Sequence, residues 1–437
     1  MKNIVDKITY TWNHAGFQKY VKNTGWMFIS KIFILALNLF VSIFIAKHLG
    51  PEQYGTFSFI ISFVSIAGFT LFSVDSLIMK ILHEHPDQTK EILGSGLMIK
   101  LINGIFTVLA ATVAGILFAN TASTTWMIFV YATFTIFQSI SVIDFYFRIH
   151  AQNKPVSILG TTVTIIMSVV KVGIVYYNLP IIYLLASYIL DQILGGIGYI
   201  YLYKKYIGNI FDIRPVKKIV IDLIVKSWPF TLSALATAVY IRVDQVFIKV
   251  LLGSESVGFY AIAVRFSEVW FIIAELICIS LLPAILNAEK HDRTLYLGRS
   301  KKLYSLLFYS SIAICGSMFI IAPLLIDTLY GTAYMPSIYI LRTYIWSIVG
   351  YFMLTALNQF LLAENKFKTI LSVNIIGMIL SVTLNYMFIP ILGITGAIVA
   401  NILSYTLPVM IILIFFKDME DQRTAFIRGI FKPFSSQ

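Results

Sequence analysis

Uninterrupted apolar stretches of about 20 residues recur along this chain of 437 residues, and they constrain its fold more than any other feature. A helix of that length crosses the hydrocarbon core of a bilayer, which is about 30 Å thick. Hydrophobic residues make up 58% of the chain and charged residues only 12%, a composition far more apolar than that of soluble domains. The sequence therefore predicts an all-α integral membrane protein with about twelve transmembrane helices.

The predicted spans follow one another closely, with one longer gap between the sixth and the seventh. They are 26–48, 57–80, 92–118, 125–147, 156–177, 180–203, 228–251, 257–286, 303–329, 336–362, 369–389 and 393–416. The leader, 1–25, contains four lysines but neither the apolar stretch nor the small-residue cleavage site of a signal peptide. A cleavable signal peptide is therefore not expected.

The loops predicted on the two sides of the membrane differ sharply in their content of basic residues. The loops expected on the opposite side, NTASTT, YNLP, GSES, GTAYMP and PILG, contain no lysine or arginine. Because basic residues near span ends stay on the cytoplasmic side, both termini are predicted to be cytoplasmic. The net charge of +12 is then a topology signal, which argues against nucleic-acid binding.

The sequence lacks the motifs of enzymes, metal sites and ATPases. Cys278 and Cys315 lie inside predicted spans, and His83 and His85 lack the i, i+4 spacing of a helical zinc site. No phosphate-binding loop of the Gly-Lys-Ser/Thr type is present. The short outer loops leave no room for the catalytic groups of a polysaccharide polymerase or ligase. We therefore expect no catalytic residue, no metal and no cofactor.

Two pairs of segments repeat along the chain. FIAKHLGPEQYG at 44–55 aligns with FIKVLLGSESVG at 247–258, and AQNKPVSIL at 151–159 aligns with AENKFKTIL at 363–371. The repeat relates the first six spans to the last six, so both halves enter the membrane in the same direction, as in transporters built from two parallel lobes. The predicted organisation is a cytoplasmic leader 1–25, a first lobe 26–203, a cytoplasmic linker 204–227, a second lobe 228–416 and a cytoplasmic tail 417–437.

Four segments carry a resemblance to a known family. They are HLGPEQYGTFSF, YIRVDQVFIKVLLGSESVGFYAIAVRFSEVW, LYGTAYMPSIYILR and LLAENKFK. Together they resemble, over essentially the whole chain, the O-antigen and polysaccharide flippases of the multidrug/oligosaccharidyl-lipid/polysaccharide (MOP) superfamily.

The resemblance implies a multi-pass transporter of the bacterial inner membrane. Such proteins move an oligosaccharide linked to a polyprenyl (undecaprenyl) pyrophosphate from the cytoplasmic to the periplasmic leaflet by alternating access, coupled to an H⁺ or Na⁺ gradient. The implied partners are the lipid-linked oligosaccharide, membrane lipids, a polysaccharide polymerase and a chain-length regulator. The alternatives are a drug or small-cation exporter of the same superfamily, which would need a predominantly acidic cavity, and a polymerase or ligase.

Charged residues interrupt the hairpin of the seventh and eighth spans. A charge at the bilayer centre costs about 2.5 to 3.5 kcal/mol, so such residues usually face a cavity or one another. Asp244 and Arg265 lie about equally far from the GSES turn and are predicted to form a structural ion pair, although Arg265 could instead pair with Glu268 on its own helix. The repeat favours a functional role for part of this set, because the counterparts of Arg242, Asp244, Arg265 and Glu268 are Leu39, Val41, Ser62 and Ser65.

Cations along the path would replace the hydration that a pyrophosphate loses in the membrane. The predicted substrate-binding residues are Arg242, Lys100, Lys171, Lys31, Arg265 and Arg342. Lys31 could instead extend to the membrane edge, and Arg342 could be an interfacial anchor. Asp191, Glu275 and Glu268 are the candidates for ion coupling, with hydrogen-bonded helix contacts as the alternative.

Overall fold

The structure, a computed structural model, describes residues 15–68, 74–118, 121–150 and 152–431, and within these ranges it is helical without strands. The helices are α1 (Ala15–Gly68), α2 (Asp75–Glu84), α3 (Thr89–Phe118), α4 (Ala122–Ala132), α5 (Phe134–Gln138), α6 (Asp144–Ile149), α7 (Asn153–Tyr176), α8 (Ile181–Tyr206), α9 (Lys217–Leu252), α10 (Ser254–His291), α11 (Arg293–Tyr330), α12 (Pro336–Tyr344), α13 (Ser347–Ala363), α14 (Phe367–Leu392), α15 (Ile394–Phe415) and α16 (Glu420–Phe431). Most of the predicted leader, 1–14, and the end of the tail, 432–437, lie outside the described residues.

The number of spans depends on how two bent helices are counted. The described residues contain 10 helices long and apolar enough to cross a membrane, and α10, bent by 44° near residue 283, makes an eleventh. One of the ten, Ser30–Gly68, has 39 residues and would be about 58 Å long as a single helix, twice the thickness of the core. Gly50, with φ 71° and ψ 171°, divides it into two helices. By length and apolar composition the described residues thus give ten or eleven spans, against about twelve predicted from the sequence, and the longest of them is divided at Gly50.

Two predicted boundaries differ from the observed ones. The span predicted at 57–80 includes residues 69–73, which lie outside the described residues, and α2, which holds its last part, begins at Asp75. The second half of the predicted linker, 204–227, belongs to α9, which begins at Lys217. The residues just before α9 are held against α3. Lys90 forms an ion pair with Asp212 at 2.7 Å, and the backbone N–H of Val216 donates to the Ser95 hydroxyl at 3.0 Å.

Contacts divide the chain into two compact units. The first unit extends to Ile45 and continues from Thr70 to Thr231, and the second contains Ala46–Phe69 and the chain from Leu232 onwards. Residues 46–69 thus group with the second unit, although the repeat assigns them to the first half of the sequence. The predicted lobe boundaries themselves stay a prediction.

The internal repeat is visible in the geometry of the second unit. Gly253 has φ 91° and ψ 175°, nearly the conformation of Gly50, its partner in the repeat. A Cβ atom on Gly55 would collide with the backbone of Ser254, and one on Gly258 would collide with the backbone of Pro51. The two contacts are equivalent, because Pro51 aligns with Ser254 and Gly55 with Gly258. Two glycines therefore allow α1 and α10 to cross at backbone contact, next to the cavity described below.

Candidate functional site

A small polar cavity of about 50 Å³ lies in the second unit, beside the glycine crossing. Its lining combines three charged side chains with hydroxyl, amide and apolar groups, namely Tyr54, Phe57, Ser58, Ile61, Ser62, Arg242, Gln245, Ala261, Val264, Arg265 and Glu268. The charged members come from α9 and α10, and the serines come from the second part of α1. The cavity therefore has a cationic side and a hydroxyl side, which correspond to the two halves of the repeat.

Arg242 and Glu268 form an ion pair in the lining of this cavity. A guanidinium nitrogen of Arg242 lies 2.7 Å from Oε1 of Glu268, and the two side chains are only 27% and 19% exposed. Oε1 of Glu268 is buried and accepts no hydrogen bond of good geometry. The guanidinium and the carboxylate are therefore close enough for an ion pair, but the N–H groups of Arg242 do not point at this oxygen. The sequence predicted both residues for the site, but in separate roles, and the structure brings them together.

Asp244 is fully buried and is held by neutral donors. Its carboxylate accepts hydrogen bonds from the Tyr260 hydroxyl at 2.5 Å, the Asn401 side-chain amide at 2.7 Å and the Gln245 backbone N–H at 2.7 Å. These bonds account for the burial of Asp244 without the predicted partner Arg265. Tyr260 lies five residues before Arg265, about 140° around the helix, so Asp244 faces a different side of α10 from the cavity arginine. Asn401, which the sequence analysis missed, retains a buried Oδ1 atom without a hydrogen bond.

Two further predicted cations are paired within the first unit. Lys171, only 7% exposed, lies 3.4 Å from Asp191 and 3.9 Å from the centre of the Tyr188 ring. Lys100 lies 2.9 Å from Asp75 and 4.7 Å from the centre of the Phe145 ring. A predicted substrate-binding lysine and a predicted coupling carboxylate thus contact each other, and both lysines have the surroundings of structural ion pairs.

The remaining candidates have separate environments. Lys31 is exposed, and its two alternative roles stay predictions. Glu275 is exposed and accepts a hydrogen bond from the Tyr351 hydroxyl at 2.8 Å. No group of three or more His, Cys, Asp or Glu side chains in the described part of the chain is arranged to hold a metal ion.

Arg342 replaces a backbone hydrogen bond that Pro323 removes from α11. Pro323 in α11 has no N–H group, so the Phe319 carbonyl lacks its usual partner four residues ahead. Nε of Arg342 donates to this carbonyl at 2.9 Å, and the guanidinium lies 4.9 Å from the Phe319 ring centre. An unpaired carbonyl is costly in a membrane, which gives Arg342 a structural role that neither predicted alternative included.

We expect Arg342→Ala to lower the thermal stability of the purified protein by roughly 1–3 kcal/mol, the cost of an unsatisfied carbonyl. Pro323→Ala restores the backbone N–H, so the same Arg342→Ala change should cost much less in that background. Thermal unfolding of the four proteins in one detergent measures the coupling. Equal losses in both backgrounds would show that Arg342 acts elsewhere.

Residues 20–289 match the family model described as polysaccharide biosynthesis protein. No curated protein sequence matches the chain.

Among solved structures, the chain is similar to an inward-facing multidrug resistance MATE family transporter of the MOP superfamily, with a TM-score of 0.68, 15% identity and coverage of 90% of this chain and 93% of that one. It is similar to the lipid II flippase MurJ in its inward closed conformation, with a TM-score of 0.67, 15% identity and coverage of 92% and 90%. A MOP superfamily transporter from Pyrococcus furiosus Vc1, noted for the reverse polarity of its binding pocket, has a TM-score of 0.60, 16% identity and coverage of 94% of both chains. At such identities the likeness shows the fold alone, which is the two-lobed MOP fold.

Proposed function

The chain belongs to the family of polysaccharide biosynthesis proteins, and we propose that it is a flippase that moves a polyprenyl-pyrophosphate-linked oligosaccharide across the bacterial inner membrane by alternating access. The observation that carries this proposal is the cavity with arginines on one side and hydroxyls on the other. Guanidinium groups bind phosphate oxygens through paired hydrogen bonds, whereas serine and tyrosine hydroxyls suit sugar hydroxyls. Arg242 and Arg265 outnumber Glu268, which argues against a cavity for cationic drugs.

We propose that the ends carrying Gly50 and Gly253 face the periplasm and that both termini are cytoplasmic. This orientation rests on the loops without lysine or arginine. The glycine crossing then lies on the periplasmic side of the cavity. A volume of about 50 Å³ is far below the roughly 300–1,000 Å³ of ligand pockets, so substrate entry requires this cavity to widen.

We further propose that Asp244 is the site at which H⁺ or Na⁺ couples to transport. A coupling group must change its charge or its ligand during the cycle, which a carboxylate in an ion pair resists. Asp191 and Glu268 are each in contact with a cation, whereas the hydrogen bonds to Asp244 come from neutral groups. Oδ1 of Asn401 is a second oxygen that could bind a proton donor or a cation there. Glu275 remains the second candidate.

The experiment is a flipping assay with the purified protein in liposomes that contain a polyprenyl-pyrophosphate-linked oligosaccharide. We expect the labelled glycan to reach the opposite leaflet faster under an imposed H⁺ or Na⁺ gradient than without one. Asp244→Asn keeps the shape and the hydrogen bond from Tyr260, so it should preserve protein abundance but remove the dependence on the gradient.

Asp191→Asn and Glu275→Gln are the matched controls and should keep that dependence. If either control loses it while Asp244→Asn does not, the coupling site lies at the control residue. Failure of the unmodified protein to flip lipid-linked oligosaccharides that differ in their glycans would contradict the flippase proposal itself.

A further inference from the structure

The C-terminal helix α16 packs along the beginning of α11. The rings of Phe426 and Tyr304 lie 5.3 Å apart, and Gly429 lies so close to α11 that a Cβ atom would touch the Lys301 backbone. The buried positions of α16, Gln422, Ala425, Phe426 and Gly429, recur every three or four residues. The helix therefore has one face toward the protein and one face away from it.

The start of α16 is fixed by a buried carboxylate. Glu364 accepts hydrogen bonds from the Tyr296 hydroxyl at 2.7 Å and the Gln422 amide at 2.9 Å, and Lys366 lies 2.8 Å away. Burial alone would raise the pKa of the Glu364 carboxyl, but the groups donated by Lys366, Gln422 and Tyr296 outweigh it and hold the pKa below its ordinary value. The carboxylate thus stays charged at neutral pH and ties α16 to the loop before α14.

The end of α16 lies at the level where α11 enters the membrane core. Residues 303–326 of α11 contain no charged side chain, so Lys302 marks the level at which α11 enters the hydrocarbon. Tyr309 lies about 10 Å further along α11. Its side chain leans back toward the start of α11, and its hydroxyl donates at 2.8 Å to the carbonyl of Ile430, in the last turn of α16. Gly429, the residue before Ile430, packs against Lys301 and Tyr304, so the last turn of α16 lies near the level of Lys302. The last carbonyls of a helix have no partner within the helix, and near lipid no water is available to replace it. The bond from Tyr309 supplies a partner for the Ile430 carbonyl.

The outer face of α16 has the pattern of an interfacial helix. Arg428 is exposed, and the neighbouring Ile427 and Phe431 are 49% and 76% exposed. On α11, the exposed Lys302 is likewise followed one turn later by Leu306, which is 50% exposed. Both helices thus present a cation just before an apolar side chain, as at the boundary between headgroups and acyl chains.

We propose that α16 is a membrane-surface anchor and that Arg428 and Lys302 bind the phosphate groups of anionic lipids. The apolar residues of its outer face continue the lipid-facing surface of α11 near the level of Lys302, and the two cations complement an anionic headgroup. The anchor is separate from the cavity proposed for the substrate, because no residue of α11 or α16 lines that cavity.

The test is a titration of the purified full-length protein with phosphatidylglycerol or phosphatidylcholine, followed by its melting temperature. We expect stabilisation by phosphatidylglycerol, and a loss of about fivefold in apparent affinity for each cation removed, so roughly 25-fold for Arg428→Gln with Lys302→Gln. Arg423→Gln with Lys290→Gln removes the same charge from exposed positions and should change the affinity little.

Membrane depth is measured separately with a spin label at Ile427→Cys and at Glu420→Cys, which lie on one face of α16. We expect oxygen to reach the first label and a water-soluble nickel complex to reach the second. Equal affinity of the two double variants, or a water-exposed label at 427, would overturn the proposal in favour of a protein partner or a second copy of the chain.

Discussion

Gly258→Ala is expected to abolish flipping while the protein still accumulates in the membrane. The new methyl group would lie against the backbone of Pro51, which cannot rotate away as a side chain could. Overpacking of this kind costs about 1–3 kcal/mol. This is enough to reduce the population of the conformation in which α1 and α10 touch by roughly 5- to 150-fold. An alternating-access cycle that cannot close on this side dissipates its gradient or stops.

The reciprocal geometry supplies a strict control. Gly55→Ala should have the same effect as Gly258→Ala, and the double variant should be little worse than either, because both changes break one contact. Gly316→Ala in α11, where a methyl group meets no neighbour within 4 Å, should leave flipping unchanged. The measurements are complementation of surface polysaccharide and membrane abundance by immunoblot.

Closure itself can be measured by cross-linking. The hydroxyls of Thr56 and Ser254 lie 3.0 Å apart beside the crossing. Cysteines at these two positions should form a disulfide in the parent protein and much less of it when Gly258→Ala is added. Normal cross-linking together with normal complementation in Gly258→Ala would show that the crossing does not have to close tightly.

The fold was largely predictable because its signals are local. Apolar stretches predicted the spans, and the aligned pairs Leu49–Gly50 and Leu252–Gly253 predicted turns that turn out to share one backbone conformation. The unusual φ of each glycine explains why the repeat is best preserved at these positions. Helix ends were less predictable, because Ser95 and Lys90 fix the start of α9 through contacts more than 120 residues away in sequence.

The partners of the buried charges were not predictable. Asp244 and Arg265 were matched by equal distance from a turn, but helices cross at an angle, and the face that each residue presents decides which groups meet. Asn401 lies 157 residues from Asp244, so no hairpin rule could connect them. The hydrogen bond from Arg342 to Phe319 was predictable in part. Pro323 lacks an N–H group, so the sequence indicates that the Phe319 carbonyl needs another donor. Which cation supplies the donor depends on the fold.

Single and double variants of Arg242 and Glu268 are expected to distinguish the effect of this ion pair on protein abundance from its effect on transport. Arg242→Ala strands the Glu268 carboxylate, which typically costs about 3–5 kcal/mol, so protein abundance and flipping should both fall. Arg242→Ala combined with Glu268→Ala removes both charges and should recover most of the abundance. Flipping should stay at background, because the pyrophosphate loses its guanidinium partner.

Lys171 and Asp191 provide the matched comparison, since they form a buried pair outside the cavity. Lys171→Ala should reduce abundance for the same reason, but Lys171→Ala with Asp191→Ala should recover flipping along with abundance. Arg242→Lys keeps the charge without the planar fork and should retain abundance with partial flipping. Immunoblots of membrane fractions and the liposome flipping rate, normalised to protein, give both quantities for each variant. Flipping at the parent rate by the Arg242→Ala, Glu268→Ala protein would remove this pair from the substrate site and leave Arg265 as its cation.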